Sequence, residues 1–168
     1  CDSHTHIVYS GSREKEYVDR INGLSYEEIS KNGGGILNSA KELKNTSHEH
    51  LYNQSAKRIE EVISLGTGAV EIKSGYGLSL SEEVKMLEVI NKLNENYDVS
   101  IQSTFLAAHA VPEKFKNNKK KYINQIVKDW IPFVAKKKLA KYIDVFCEKG
   151  YFNLDETKHI LEAGVDNG

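Results

Sequence analysis

Residues 67–83, T-G-A-V-E-I-K-S-G-Y-G-L-S-L-S-E-E, decide the fold. The first seven form a short run of strand-forming residues, and S-G-Y-G at 74–77 closes that run with turn residues. Ser79 followed by Glu82 matches a capping box, which predicts that a helix begins there. Apolar residues then recur at helical spacing, namely Val84, Leu87, Val89, Ile90 and Leu93. A strand, a glycine turn and a helix in this order predict one βα unit.

The same alternation extends on both sides of this unit. Further strands are predicted at residues 2–9, 99–106 and 142–147. Helices are predicted at residues 36–43, 47–65, 122–139 and 153–163, the last opened by a second capping box. Strands that alternate with helices predict a parallel sheet. We therefore predict an α/β fold, a partial TIM (β/α)8 barrel comprising about the first four βα units, with residues 1–168 as part of a single barrel domain.

Composition excludes several classes of protein. Lys and Arg number 23 against 24 Asp and Glu, so the net charge of -1 gives no general attraction to nucleic acid or to anionic membranes. No window approaches the roughly 18 consecutive apolar residues of a membrane span. The two cysteines are too few for a disulfide scaffold, which favours a cytoplasmic location, and Cys147 is expected to be a small buried apolar residue. The chain opens within an expected strand and without Met, so we expect a fragment of a longer protein.

His4 and His6 are the first candidates for chemistry, because they lie two residues apart at the end of the first predicted strand. Residues at that spacing face the same side of a strand, so both imidazoles can reach one metal ion. Neutral imidazole suits zinc and iron, and Asp2 could orient one of the ligands. The alternative is a chance pair of surface histidines. The position at a barrel strand's carboxyl end favours the metal.

Two more candidates follow the next strands of the predicted sheet. Tyr76 lies between two glycines directly after the second strand, and His109 ends the third strand in an apolar A-A-H-A-V-P run. The glycines allow a sharp turn that would bring the phenol toward the barrel mouth. The alternatives are a tyrosine packed on a helix and a half-buried histidine with a structural role.

Charged residues add further candidates. Arg13 follows the histidine pair, where a planar guanidinium could hold a substrate carboxylate through two hydrogen bonds, or could simply be solvated. Glu71 and Lys73 alternate with apolar residues on the second strand, and the sequence leaves open whether they face inward or outward.

These residues together resemble a known family. The opening D-S-H-T-H with G-S-R-E at 11–14 resembles the metal site of the amidohydrolase superfamily and, within it, of the imidazolonepropionase family. Further matching stretches are S-Y-E-E-I at 25–29, G-G-G-I-L at 33–37, E-I-K-S-G-Y-G at 71–77, T-F-L-A-A-H-A-V-P at 104–112 and D-V-F-C-E at 144–148. The resemblance covers nearly the whole chain.

The resemblance implies a hydrolase of histidine degradation that converts the cyclic amide 4-imidazolone-5-propanoate to N-formimino-L-glutamate. It makes His4 and His6 ligands of one zinc or iron ion. It makes Arg13, Tyr76 and His109 substrate-binding residues, with Tyr26 as a second-rank candidate. It also implies a homodimer, with no nucleic-acid or membrane partner.

The family's remaining metal ligands and its proton-transfer glutamate would lie after residue 168, so none of the catalytic residues is expected in this chain. The chain alone is therefore expected to be inactive. Two other hypotheses remain open: another amidohydrolase, such as a ring deaminase, and a non-catalytic half-barrel that serves in assembly.

Overall fold

Four parallel strands form the sheet in the computed structural model, which describes residues 1–25, 28–29 and 34–168. They lie side by side in chain order, as β1 Asp2–Thr5, β2 Ala69–Lys73, β3 Ser100–Ala108 and β4 Tyr142–Val145. The pairing of β2 with β3 is regular from Ala69↔Ser100 to Lys73↔Thr104, whereas the pairings of β1 and β4 each contain a register shift. The parallel sheet confirms the predicted α/β class. Its strand order is that of a partial β/α barrel.

Helices connect and follow the strands, as predicted, except that the sequence did not predict the first one, Glu14–Ile21. They are α1 Glu14–Ile21, α2 Ile36–Lys44, α3 His48–Ser64, α4 Leu80–Asn96, α5 Lys119–Gln125, α6 Ile131–Lys136 and α7 Leu154–Asp166. A short 3-10 turn, Glu113–Phe115, follows β3. No helix within the described residues is long and apolar enough to cross a membrane.

The single long helix predicted over 122–139 is divided in the structure. A π-helical turn, Ile126–Trp130, separates α5 from α6. Pro132 has no backbone N–H to donate to the carbonyl of residue 128, so the regular α-helical ladder cannot continue through it. The buried faces of Ile126, Trp130 and Val134 nevertheless stay on one side, as the apolar periodicity predicts.

The two predicted capping boxes have different outcomes. Asn153 Oδ1 accepts the Glu156 N–H and Glu156 Oε2 accepts the Asn153 N–H, both at 2.9 Å, which confirms the second. The first is wrong, because Ser79 makes no side-chain capping bond and Glu82 pairs with Lys85 instead. Cys147 is also exposed where a buried residue was expected, since β4 ends before it at Val145.

The core lies between the sheet and the covering helices. Helix α4 buries Met86, Leu87, Val89, Ile90 and Leu93, all without exposed surface. Ile72 of the second strand is equally buried in the same cluster.

We predict that Ile72→Ala lowers the free energy of unfolding by about 2–5 kcal/mol, because it leaves a cavity beside the central strands. Leu65→Ala is the matched control, since Leu65 is 79% exposed and should change stability by no more than about 0.5 kcal/mol. Urea unfolding of both variants measures the difference. Equal stabilities for the two would contradict the packing described for β2.

Candidate active site at the carboxyl edge of the sheet

Four ring side chains meet where the first three strands end. The ring of His6, just past β1, stacks on that of His109 with centroids 5.1 Å apart and planes 10° apart. The Tyr76 ring lies 5.4 Å from each of them, and His4 meets His6 edge-on at 5.6 Å. Phe146, after β4, packs edge-on against His109 at 5.7 Å. Residues from three separate parts of the sequence therefore form one cluster, here called the ring cluster: His4, His6, Tyr76 and His109.

Burial keeps two rings of this cluster neutral near neutral pH. It lowers the pKa of His6 from 6.5 to about 4, and electrostatic repulsion from His109, His4 and Lys73 acts in the same direction. Burial likewise lowers the pKa of His109 to about 4, against opposing effects from the Gly75 hydrogen bond and from Asp144. A neutral imidazole keeps one nitrogen lone pair for a ligand or a hydrogen-bond donor.

The hydrogen bond of His109 defines which nitrogen is available. His109 Nδ1 lies 3.0 Å from the carbonyl oxygen of Gly75, which can only accept a hydrogen bond. Nδ1 must therefore carry the proton, and in the neutral ring Nε2 is left as the acceptor. His109 is buried more deeply than the half-buried histidine that the structural alternative described, and its ring lies in the ring cluster.

His4 and His6 fit a metal ion as two of its ligands. His6 Nδ1 is buried and has no hydrogen-bond partner among the described residues, and two imidazoles on one strand end are a donor set suited to zinc or iron. Among those same residues no group of three or more His, Cys, Asp or Glu could hold a metal, so the pair supplies only part of a coordination shell. Asp2 contacts the main-chain nitrogen of His4, 3.4 Å from Oδ1, rather than an imidazole.

Arg13 lies immediately before α1, where Glu16 holds it. Its Nε donates to Glu16 Oε2 at 2.7 Å, and Glu16 Oε1 accepts the N–H of Gly35 at 3.0 Å. The positive charge of Arg13 also contributes to the lowered pKa of His109, so the guanidinium acts electrostatically on the ring cluster. Tyr26, the remaining substrate-binding candidate, lies outside the described residues.

Charged side chains of the sheet lie beside the ring cluster. The sequence left open whether two of them, Glu71 and Lys73, face inward or outward. Lys73 is 7% exposed, and its Nζ donates to Glu71 Oε1 at 2.8 Å and to Asp144 Oδ2 at 3.0 Å. Burial alone would lower the pKa of Lys73, but the two carboxylates raise it overall. The E-I-K alternation places Glu71 and Lys73 on one face, but nothing in the sequence identified Asp144 as their partner.

Glu83 is the second feature that sequence reasoning missed. It lies in the first turn of α4 and is completely buried, with its carboxylate against the loop that carries Tyr76. A charged residue among apolar helix positions is usually solvated, and the glycines at 75 and 77 were the only sign that main chain approaches closely there.

The fold and the ring cluster define a class: a partial β/α barrel whose strand ends carry the candidate ligands, at the edge where barrel active sites lie. No family model matches the chain. Individual proteins, however, match the chain over its whole length.

The relatives are imidazolonepropionases. The chain is 62% identical over 168 residues to that of Flavobacterium johnsoniae and 60% identical over 168 residues to that of Christiangramia forsetii. It is 46% identical over 167 residues to that of Brevibacillus brevis. It spans 41%, 41% and 39% of the lengths of these curated relatives. The chain is therefore homologous to imidazolonepropionases along all of its own length, which confirms the resemblance identified from the motifs.

The lowered pKa values predict how stability depends on pH. As pH falls below 6.5, unfolded chains bind protons at the positions of His6 and His109, whereas the folded rings stay neutral until about 4. The stabilisation is complete above pH 6.5 and is lost progressively between pH 6.5 and pH 4. We expect the free energy of unfolding of the metal-free protein, measured with urea, to decrease as the pH is lowered from 6.5 to about 4.

Replacing His109 removes one of the two groups, so His109→Gln should make this pH dependence shallower. His159→Gln is the matched control, since His159 is exposed on α7 and should leave the wild-type slope in place. If His109→Gln left the pH dependence of the free energy of unfolding unchanged, the lowered pKa of His109 would be contradicted.

Proposed function

We propose that the full-length protein carrying this chain hydrolyses the cyclic amide 4-imidazolone-5-propanoate to N-formimino-L-glutamate. The observation that carries the proposal is identity of 60–62% along the entire chain to relatives named imidazolonepropionase. The geometry of the ring cluster supports it, because imidazole and phenol groups meet at one edge of the sheet. From the resemblance we also propose a cytoplasmic homodimer.

His4 and His6 would hold one zinc or iron ion, as two of its ligands. When bound, the ion supplies a Lewis acid and lowers the pKa of a water molecule toward about 7. The low pKa of His6 suits this role, because the ring need not lose a proton before it binds a metal.

His109 and Tyr76 would bind the substrate ring. The unprotonated Nε2 of His109 can accept a hydrogen bond from a ring N–H of an imidazolone, and the adjacent Tyr76 phenol supplies a hydroxyl and an aromatic face. Burial of His109 makes such a bond stronger than it would be in water.

Arg13 would bind the propanoate. Its planar guanidinium presents a fork of N–H donors that matches a carboxylate, and Glu16 fixes the side chain just before α1. A positive charge near a neutral histidine also favours an anionic substrate over a neutral one at the same place.

The proposal is tested with purified full-length protein and a panel of imidazolone, hydantoin and purine substrates. We expect turnover of 4-imidazolone-5-propanoate alone. Turnover of an aminated purine in its place would establish a deaminase.

His4→Ala should lower kcat/KM by more than about a hundredfold and reduce the bound metal, measured by elemental analysis. Full activity and full metal content in this variant would contradict the role of His4. The 168-residue chain alone is expected to show no turnover.

Tyr76→Phe should raise KM about tenfold, through loss of one hydrogen bond to the substrate. Tyr17→Phe is its matched control, because Tyr17 is 68% exposed on α1. Equal KM values for the two variants would remove Tyr76 from the substrate-binding set.

A further inference from the structure

Glu83 binds the main chain on both sides of Tyr76. Its Oε2 accepts the N–H of Gly75 at 2.9 Å, and its Oε1 accepts the N–H groups of Gly77 and Leu78 at 2.8 Å each. The residue has no exposed surface, and a carboxylate is among the side chains that are rarely buried completely. Burial raises the pKa of Glu83, and these three hydrogen bonds from the loop act against that rise while they hold the loop against the start of α4.

The loop is shaped to make these contacts. Gly75 has φ +114°, and a Cβ on Gly77 would collide with the backbone of residues 82 and 83. Leu78 has φ 51°, an uncommon value for a residue with a side chain. Because backbone N–H groups only donate, the three that converge here require an acceptor at both oxygens of the side chain. A carboxylate meets that requirement and an amide does not.

Gly75 connects Glu83 to His109 through hydrogen bonds. The N–H of Gly75 donates to Glu83, while its carbonyl oxygen lies 3.0 Å from His109 Nδ1. Ser74 provides a second route, since it hydrogen-bonds Glu83 and its Oγ accepts the N–H of Leu106 on β3 at 3.0 Å. Two members of the ring cluster therefore depend on one buried side chain that lies behind the loop.

We propose that Glu83 is a positioning residue of the active site, which holds residues 74–78 so that the Tyr76 phenol and the His109 Nε2 atom face the substrate. It acts through the loop and not by contact with the substrate. The inference rests on the proposed function, in which Tyr76 and His109 bind the substrate.

Glu83→Gln in the full-length protein tests it. The amide has nearly the same shape but turns an NH2 group toward main-chain N–H groups, so at least one of the three hydrogen bonds is lost. We expect KM for 4-imidazolone-5-propanoate to rise about tenfold and kcat/KM to fall about ten- to a hundredfold. Glu95→Gln, the same change at an exposed position of α4, should leave both unchanged.

A double-mutant cycle separates positioning from a general loss of stability. If Glu83 acts through Tyr76, the effects of Glu83→Gln and Tyr76→Phe on KM are not additive. A lower melting temperature with unchanged KM and kcat, or strictly additive effects, would overturn the proposal. Should Glu83→Gln not fold, Ser74→Ala removes one hydroxyl from the same network and should raise KM in the same direction, and an unchanged KM would overturn the proposal.

Two readouts do not depend on turnover. In Glu83→Gln the amides of Gly75, Gly77 and Leu78 should exchange hydrogen faster, and the nitrogen-15 signal of His109 Nδ1 should shift. If the wild-type protein does not hydrolyse the imidazolone, the proposed function fails and these readouts alone decide the role of Glu83. Exchange rates and a His109 signal identical to wild type would overturn that role in either case.

Discussion

Parallel pairing of the strands is the constraint on which the site depends. Because β1 to β4 all run in the same direction in one sheet, their carboxyl ends share one edge. Histidines at positions 6 and 109 are far apart in the sequence, yet their rings stack at 5.1 Å because β1 and β3, which they follow, end at the same edge with β2 between them. An antiparallel arrangement of the same strands would send every second strand end to the opposite edge and divide the cluster.

The electrostatic surroundings of the cluster come from the strands as much as from the loops. Lys73 on β2 bridges Glu71 on its own strand and Asp144 on β4, so one cation is shared by two carboxylates. Removing either carboxylate would leave the buried Lys73 ammonium with less compensation, which is costly in a medium of low dielectric constant. The effects of Lys73 and Asp144 on the pKa of His6 have opposite signs, and burial remains the larger cause of the shift. Burial, more than these charged side chains, therefore keeps His6 neutral.

The sequence was informative wherever a property repeats or ends at a recognisable place. Strand and helix positions follow from apolar periodicity, and Tyr76 and His109 were candidates because each directly follows a strand. The failures have two causes, namely competing side-chain pairs within one helix and contacts between elements. Ser79 and Glu82 have the spacing of a capping box, but Glu82 pairs with Lys85, and the role of Glu83 depends on a loop folding back onto its own helix. Asp144 meets Lys73 across β3, and no local pattern encodes that meeting.

The long connection between the first two strands affects the order in which the site assembles. Residues 69 and 100 pair across β2 and β3, and 104 and 142 across β3 and β4, whereas Asp2 pairs with Val70 only after α1, α2 and α3 have been accommodated. Closing a longer loop costs more entropy, though each doubling adds only about 0.6 kcal/mol, so the effect is on rate more than on stability. The shorter connections thus favour early docking of the segments bearing Tyr76 and His109, before His4 on β1 and His6 just after it reach the same edge.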